Sequence, residues 1–164
     1  MKRLIITLLL TLVTVSLATA AGSPSIKSTV SNDVKSYNEG VTLMMDKKFT
    51  NAEKQFRKSI ALNERFAEAH NNLAYTLRKQ GPEHYDEALK HYNRAIALKP
   101  GLDEPYMYRG VLYVQMGKKP LALKDHSTLA ARNSPLAEEL QFVIENGREK
   151  EPEQFFGVSD RIDS

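Results

Sequence analysis

The 164-residue sequence contains no cysteine and no tryptophan. Without cysteine the chain has no disulfide and no thiol nucleophile, and a fold that needs no covalent staples suits an oxidising compartment. The sequence also lacks the His-Glu-x-x-His pair, the Gly-rich phosphate loop and the Gly-x-Ser-x-Gly nucleophile elbow. We therefore predict a protein that is not an enzyme and has no cofactor.

The four histidines lack the spacing of a metal site. His84 and His91 are seven residues apart, but His84 falls in or beside a predicted turn. We predict scattered surface histidines, with His126 partly buried, and no bound metal.

The N-terminus has the pattern of a secretory signal. A basic start, Lys2 and Arg3, precedes an apolar run over residues 4–17 and small residues at 18–21. The run is shorter than the ~20 apolar residues that a transmembrane helix needs, and no cysteine follows it for lipid attachment. We predict a cleaved signal that delivers the chain to the periplasm of a Gram-negative bacterium or outside the cell. An uncleaved membrane anchor is the alternative.

The charge balance gives no sign of a nucleic-acid partner. The chain has 23 Lys and Arg against 20 Asp and Glu, and removal of Lys2 and Arg3 with the signal leaves 21 basic residues. Nucleic-acid binding calls for basic residues clustered on one face. We predict no nucleic-acid partner.

Three stretches share one spacing of small and large apolar residues: FTNAEKQFRKSIALNE (49–64), YDEALKHYNRAIALKP (85–100) and KPLALKDHSTLAARNS (119–134). Gly40, Ala74 and Gly110 are spaced by 34 and then 36 residues, and Ala52, Ala88 and Ala122 by 36 and then 34. A repeat of about 34 residues with a two-residue insertion in the turn near 81–85 explains both sets. The apolar residues within each unit recur every three or four positions, which predicts an amphipathic helical hairpin. Small residues at the helix crossings let large neighbours such as Phe56 and Tyr92 fill the space.

This pattern resembles the tetratricopeptide repeat family over residues 33–134. The matching positions are Gly40, Leu43, Phe49, Ala52, Phe56 and Ile60; Leu73, Ala74, Leu77, Gly81, Tyr85, Ala88, Tyr92, Ala95 and Pro100; and Gly110, Tyr113, Gly117, Ala122 and Leu129. The first unit departs from the family at Ser59 and Glu64. The third has Lys119 and His126 where large aromatic residues are usual, which makes its packing harder to predict. The resemblance implies an all-α solenoid of three helix-turn-helix hairpins.

A seventh helix is expected to cap the array, because a last hairpin otherwise leaves an apolar face in water. Ser134 can cap its N-terminus and Asn146-Gly147 can end it, with Leu140 and Val143 on its apolar stripe. The predicted organisation is a signal peptide (1–21), a flexible leader (22–32), repeat units at 33–66, 67–102 and 103–134, a capping helix (135–147) and a polar tail (148–164). Phe155-Phe156 in that tail either dock on the protein itself, which we slightly favour, or contact a partner.

In the family, the first helix of each hairpin lines a concave groove that holds a peptide or a partner helix. Carried over by alignment, the predicted binding residues are Tyr37, Asn38, Glu68, Asn71, Asn72, Tyr75, Arg78, Lys79, Glu104, Met107, Tyr108 and Gln115. Val41, Met44, Met45 and Val111 are further inward-facing candidates, of which Val41, Met44 and Val111 fit the core equally well. Amide side chains such as Asn38 and Asn72 can both donate to and accept from a peptide backbone.

We expect Asn72, Tyr75 and Arg78 to be exposed on this groove. The family's clamp for a terminal carboxylate is not expected, because its basic positions hold Val34, Glu104 and Tyr108.

Two functions fit the sequence. One is a non-catalytic periplasmic adaptor that binds a peptide or protein partner in the groove, in an envelope assembly, secretion or maturation complex. The other is a structural scaffold that self-associates through its repeat faces. A stable monomer that captures one envelope protein favours the first, and a concentration-dependent mass favours the second.

Overall fold

A computed structural model describes residues 30–150 and Ile162. The predicted signal peptide, most of the predicted leader and Phe155-Phe156 lie outside these residues. The described residues form no strand; their helices are α1 (Asn32–Met45), α2 (Phe49–Leu62), α3 (Ala67–Gln80), α4 (Tyr85–Leu98), α5 (Glu104–Gln115), α6 (Lys119–Ala131) and α7 (Leu136–Asn146). None of the helices in this part of the chain is long and apolar enough to cross a membrane.

The helices pack in consecutive pairs. α1 packs with α2, α3 with α4 and α5 with α6, while α7 lies against both α5 and α6. The predicted all-α solenoid of three hairpins with a seventh helix is therefore confirmed.

Each hairpin turns at an equivalent residue with positive φ. Lys47, Gly81 and Gly117 occupy that position, with φ of 59°, 141° and 73°. At Gly81 the following residues 82–84 form a short 3₁₀ turn before α4 begins. The backbone angle at Gly81 favours glycine, whereas the Glu83 carboxylate, 2.6 Å from where a β-carbon would lie, ends an exposed flexible side chain that can move away. The insertion is thus absorbed between α3 and α4, outside the packed faces.

Small residues receive large side chains at the helix crossings of the first two hairpins. A β-carbon on Gly40 would lie 2.7 Å from Phe56 Cε1, which shows that the ring rests directly on the α1 backbone. In the second hairpin Ala74, Ala88 and Tyr92 have no exposed surface. These contacts hold the two helices of each hairpin close together.

The third hairpin departs from this scheme. A β-carbon on Gly110 would lie 2.5 Å from Leu140 Cδ2, so the residue that fills this place comes from α7. His126, which aligns with Phe56 and Tyr92, is only half-buried. The packing that the sequence left hard to predict is therefore completed from outside the hairpin, because a partly polar imidazole leaves room that an aliphatic side chain of the next helix fills.

α7 buries the apolar stripe that the sequence indicates. Leu140 and Val143 are 0% and 2% exposed. The helix begins at Leu136, whose N–H donates a long bond of 3.4 Å to the Ser134 hydroxyl. It ends at Gly147, which has φ of 70° and donates its N–H to the Val143 carbonyl at 2.8 Å. The left-handed glycine is a common end for a helix.

Candidate functional site

The predicted binding residues follow one side of α1, α3 and α5, which we call the groove face. The centre of this face is α3, where every residue from Ala67 to Arg78 except Glu68 is buried. Asn72 is 0% exposed, and Tyr75 and Arg78 are each 3% exposed. The expectation that these three side chains are exposed is therefore wrong. α3 packs against α2, α4 and α5, and Tyr37 of α1 and Glu149 form hydrogen bonds with two of its side chains.

Two asparagines predicted to bind a peptide make hydrogen bonds within the protein. The Asn71 side-chain amide donates to Asn72 Oδ1 at 3.1 Å, and the Asn72 amide donates to the Tyr37 hydroxyl at 3.1 Å. The Tyr37 ring in turn packs against Phe66, with ring centroids 4.8 Å apart. Buried polar groups need such partners. These residues fasten α3 to α1 and form the floor of the groove face.

Arg78 is the most enclosed charge of the groove face, since its side chain has no exposed surface. Its guanidinium carbon lies 5.2 Å from the ring centroids of both Tyr75 and Tyr108. Its two terminal nitrogens donate to the two carboxylate oxygens of Glu149 at 3.1 and 2.9 Å, a bidentate pair. Burial works against the charged form, but the negative charge of Glu149 prevails and raises the pKa of Arg78 above its usual range. Lys79 Nζ lies 3.9 Å from the same carboxylate.

Asn38 shows the dual hydrogen bonding expected of an amide on this face. Its side-chain nitrogen donates to the carbonyl oxygen of Ile162 at 2.7 Å, and the N–H of Ile162 donates to Asn38 Oδ1 at 2.8 Å. Both bonds go to the main chain of one residue, 124 positions away in the sequence. The groove face therefore binds the main chain of one residue at α1.

The remaining predicted residues divide between the ends of the face and the core. Near the N-terminal end of α3, the Glu68 carboxylate accepts a hydrogen bond from Lys99 Nζ at 2.6 Å. Near the N-terminal end of α5, burial raises the pKa of Glu104, and the nearby charges of Asp103 and Glu68 raise it further. Met107 is buried beside this region and Gln115 is exposed at the far end of α5. Val41, Met44 and Val111, which fitted either location, lie in the core, whereas Met45 is exposed.

A pair of histidines was missed by the sequence analysis. His70 on α3 is 6% exposed and stacks on His91 of α4, with 2.9 Å between the two Nδ1 atoms. His70 Nε2 faces the Glu64 carbonyl oxygen at 3.2 Å, so Nε2 carries the proton and His70 Nδ1 accepts from His91. The expectation of scattered surface histidines is wrong for this pair. The alignment could have indicated the contact, because both residues lie on facing positions of one hairpin.

Burial lowers the pKa of both imidazoles, and the neighbouring His70 helps to bring the pKa of His91 to about 4. Acidic side chains Glu83, Asp86 and Glu87 rim the same depression. Within residues 30–150 and Ile162, no group of three or more metal-ligating side chains has the arrangement of a metal site.

Comparisons with known proteins agree with the architecture. A family profile described as TPR repeat matches residues 83–117, which contain α4 and α5. A solved structure described as a CopN-Scc3 complex is similar over 73% of this chain and 71% of that chain, with a TM-score of 0.58 and 24% sequence identity. No curated protein sequence matches the chain.

The likeness to the solved structure concerns the fold, and the matched repeat is a unit of protein-interaction arrays. The matched repeat indicates protein–protein interaction as the class of activity. The chain therefore contains a match to the TPR repeat at residues 83–117, and its three helical hairpins form an all-α solenoid of the kind found in tetratricopeptide repeat proteins.

Proposed function

We propose that this chain is a non-catalytic adaptor of the cell envelope whose groove face binds an extended stretch of a partner protein. The observation that carries the proposal is the pair of hydrogen bonds between the Asn38 side chain and the main chain of Ile162. An amide that engages both the N–H and the C=O of one residue recognises extended backbone, whatever side chain that residue carries.

The charges on the groove face add selectivity to this backbone contact. Arg78 and Lys79 share one carboxylate partner, Glu149. Arginine held between two aromatic rings is preorganised for bidentate recognition of a carboxylate. We infer that the partner is an extended peptide segment that carries an acidic side chain. The tyrosine rings beside Arg78 offer contact area of the kind common in binding hot spots.

The envelope location rests on the N-terminal sequence, with its basic start, apolar run and small residues. Expression of the full chain in a Gram-negative host, followed by osmotic release of periplasmic proteins and mass measurement, tests it. A released protein that has lost about 21 residues supports the proposal. A full-length protein in the membrane fraction supports the anchor instead.

Photo-crosslinking tests the groove. A photoreactive residue at exposed Thr42, one turn of α1 beyond Asn38, should capture a partner, while the same residue at exposed Lys90 on α4 should not. Asn38→Ala removes two backbone hydrogen bonds to the partner, of about 0.5–1.5 kcal/mol each, and also the two to Ile162, so capture should weaken by at most roughly 150-fold. Asn38→Asp keeps the acceptor oxygen but loses the N–H donor, so its capture yield should lie between those of the unchanged chain and Asn38→Ala. Capture at Lys90 alone would refute the groove hypothesis.

Sedimentation velocity over a range of protein concentrations tests the scaffold alternative. The adaptor should sediment as a monomer throughout this range. A mass that rises with concentration, and that Asn38→Ala does not change, would favour self-association through the repeat faces.

A further inference from the structure

We propose that the C-terminal segment of this chain is the resting occupant of its own groove and that a partner peptide binds by displacing it. The inference rests on the proposed function, because the atoms that would hold the partner are the ones already engaged by this segment. Two separate contacts carry it, one at each end of the segment.

The first contact is the ion pair between Glu149 and Arg78. Glu149 lies three residues beyond the end of α7 at Asn146, yet its carboxylate reaches Arg78 on α3. Because the Arg78 side chain has no exposed surface, its charge needs a partner inside the protein. Glu149 supplies it with two hydrogen bonds. The chain is therefore directed from α7 onto the groove face.

The second contact is the main chain of Ile162 on Asn38. Ile162 lies in neither a helix nor a strand, and it is 37% exposed. The recognition is of backbone, by two hydrogen bonds of 2.7 and 2.8 Å. Any residue with a free N–H in an extended peptide could make the same bonds. The contact is therefore open to competition.

The length of the segment is compatible with both contacts. Twelve residues lie between 149 and 162, and the thirteen residue steps span at most about 45 Å when extended. Packed helices lie about 8–10 Å apart, so the step from Arg78 on α3 to Asn38 on neighbouring α1 needs far less. A segment joined to the protein by so short a connection competes intramolecularly, at an effective concentration of the order of millimolar. A competing peptide must carry a carboxylate and an extended backbone, and must bind well enough to overcome the tether.

The test uses the full chain, which has no native cysteine. Spin labels at Thr42→Cys and Ser164→Cys report the distance between α1 and the C-terminus. Ile162→Pro removes the N–H that donates to Asn38, and Ile162→Ala keeps it while shortening the side chain to a similar degree. We expect a short, narrow distance in the Ile162→Ala chain and a long, broad one in the Ile162→Pro chain.

Competition is measured in the same two variants without labels. The probe is a fluorescent synthetic peptide of residues 149–164 (EKEPEQFFGVSDRIDS). One lost hydrogen bond is worth about 0.5–1.5 kcal/mol, so the peptide should bind the Ile162→Pro chain roughly 2- to 13-fold more tightly than the Ile162→Ala chain.

The outcomes separate this inference from the proposed function. A long distance in the Ile162→Ala chain together with peptide binding would overturn self-occupancy and leave the groove as a binding site. A short distance with no peptide binding to either variant would overturn displacement and the proposed function together. Equal peptide affinity in the two variants would also overturn displacement, while the groove would still bind peptide.

Discussion

Gly110→Ala should destabilise the protein even though alanine is the better helix former. Within a helix such as α5, alanine is favoured over glycine by about 0.5–1 kcal/mol. The new methyl group would meet Leu140 Cδ2 at 2.5 Å and Cδ1 at 2.7 Å, well inside the ~3.5–4.0 Å of an optimal carbon contact. Leu140 has no exposed surface, so it cannot swing into solvent. Overpacking costs about 1–3 kcal/mol, and after the gain in helix propensity the net loss is about 0–2.5 kcal/mol, centred near 1 kcal/mol.

The sign of the effect should reverse when Leu140 is shortened. Leu140→Ala alone should cost about 2–5 kcal/mol, as large-to-small changes in a core do. In that background the methyl of Gly110→Ala enters vacated space and brings its helix propensity with it. We expect a gain of about 1 kcal/mol, so the two substitutions should be strongly non-additive.

Urea denaturation followed by far-ultraviolet circular dichroism measures the four free energies of unfolding in this cycle. Gly101→Ala is the control, because a β-carbon there meets nothing within 4 Å, and its effect should stay within about 0.5 kcal/mol. If Gly110→Ala stabilised both backgrounds equally, Leu140 would not rest on Gly110 and the packing of α7 described above would be wrong.

Two further predictions concern buried charge. Glu149→Gln leaves the Arg78 guanidinium without its anion, and breaking such a buried pair costs about 3–5 kcal/mol. Because the Glu149 side chain is 31% exposed, we expect the free energy of unfolding measured in urea to fall by about 2–3 kcal/mol. Glu39→Gln, at an exposed position, should change it hardly at all. The His70–His91 pair should make stability depend on pH, because the pKa of His91 is lowered from 6.5 to about 4 in the folded protein. Between these two pH values the unfolded chain binds more protons than the folded chain. The free energy of unfolding should therefore fall as pH drops from 6.5 to 4, by up to about 1.4 kcal/mol per pH unit. Urea midpoints across this range should decline less steeply for His91→Gln, and an identical slope would show that His91 is protonated equally in both states.

The three hairpins were predictable because their signals are local. Each helix is indicated by apolar residues three and four positions apart. The small residues Gly40 and Ala74 mark helix crossings with large residues, Phe56 and Tyr92, that follow 16 and 18 positions later. Gly81 and Gly117 mark turns whose backbone angles few other residues adopt. In the equivalent turn Lys47 takes a positive φ without glycine, so the pattern tolerates an exception where the surrounding hairpin fixes the backbone.

The exposure of the groove face was not predictable, because its cover comes from distant parts of the sequence. Arg78 resembles a solvent-facing helix residue when α3 is considered alone, but its partner Glu149 is 71 positions away. The dual role of the Asn38 amide follows from its chemistry, whereas the identity of the residue it meets, Ile162, follows only from the course of the folded chain. Periodicity specifies which side of a helix is apolar. It carries no information about what later covers the other side.

In the third hairpin, Leu140 of α7 occupies the space that a large residue of the hairpin itself would otherwise fill, and this arrangement also fixes the length of the array. In an ideal repeat protein, hairpins can be added or removed because each contacts only its neighbours. Here the terminal helix completes the packing around Gly110, so a fourth hairpin inserted between α6 and α7 would separate Leu140 from the position it fills. Such an insertion would need an aromatic residue at His126 as compensation. Growth of this protein by duplication at its C-terminal end would therefore require a compensating change at His126, whereas duplication of the second hairpin, which contains both Ala74 and Tyr92, would require none.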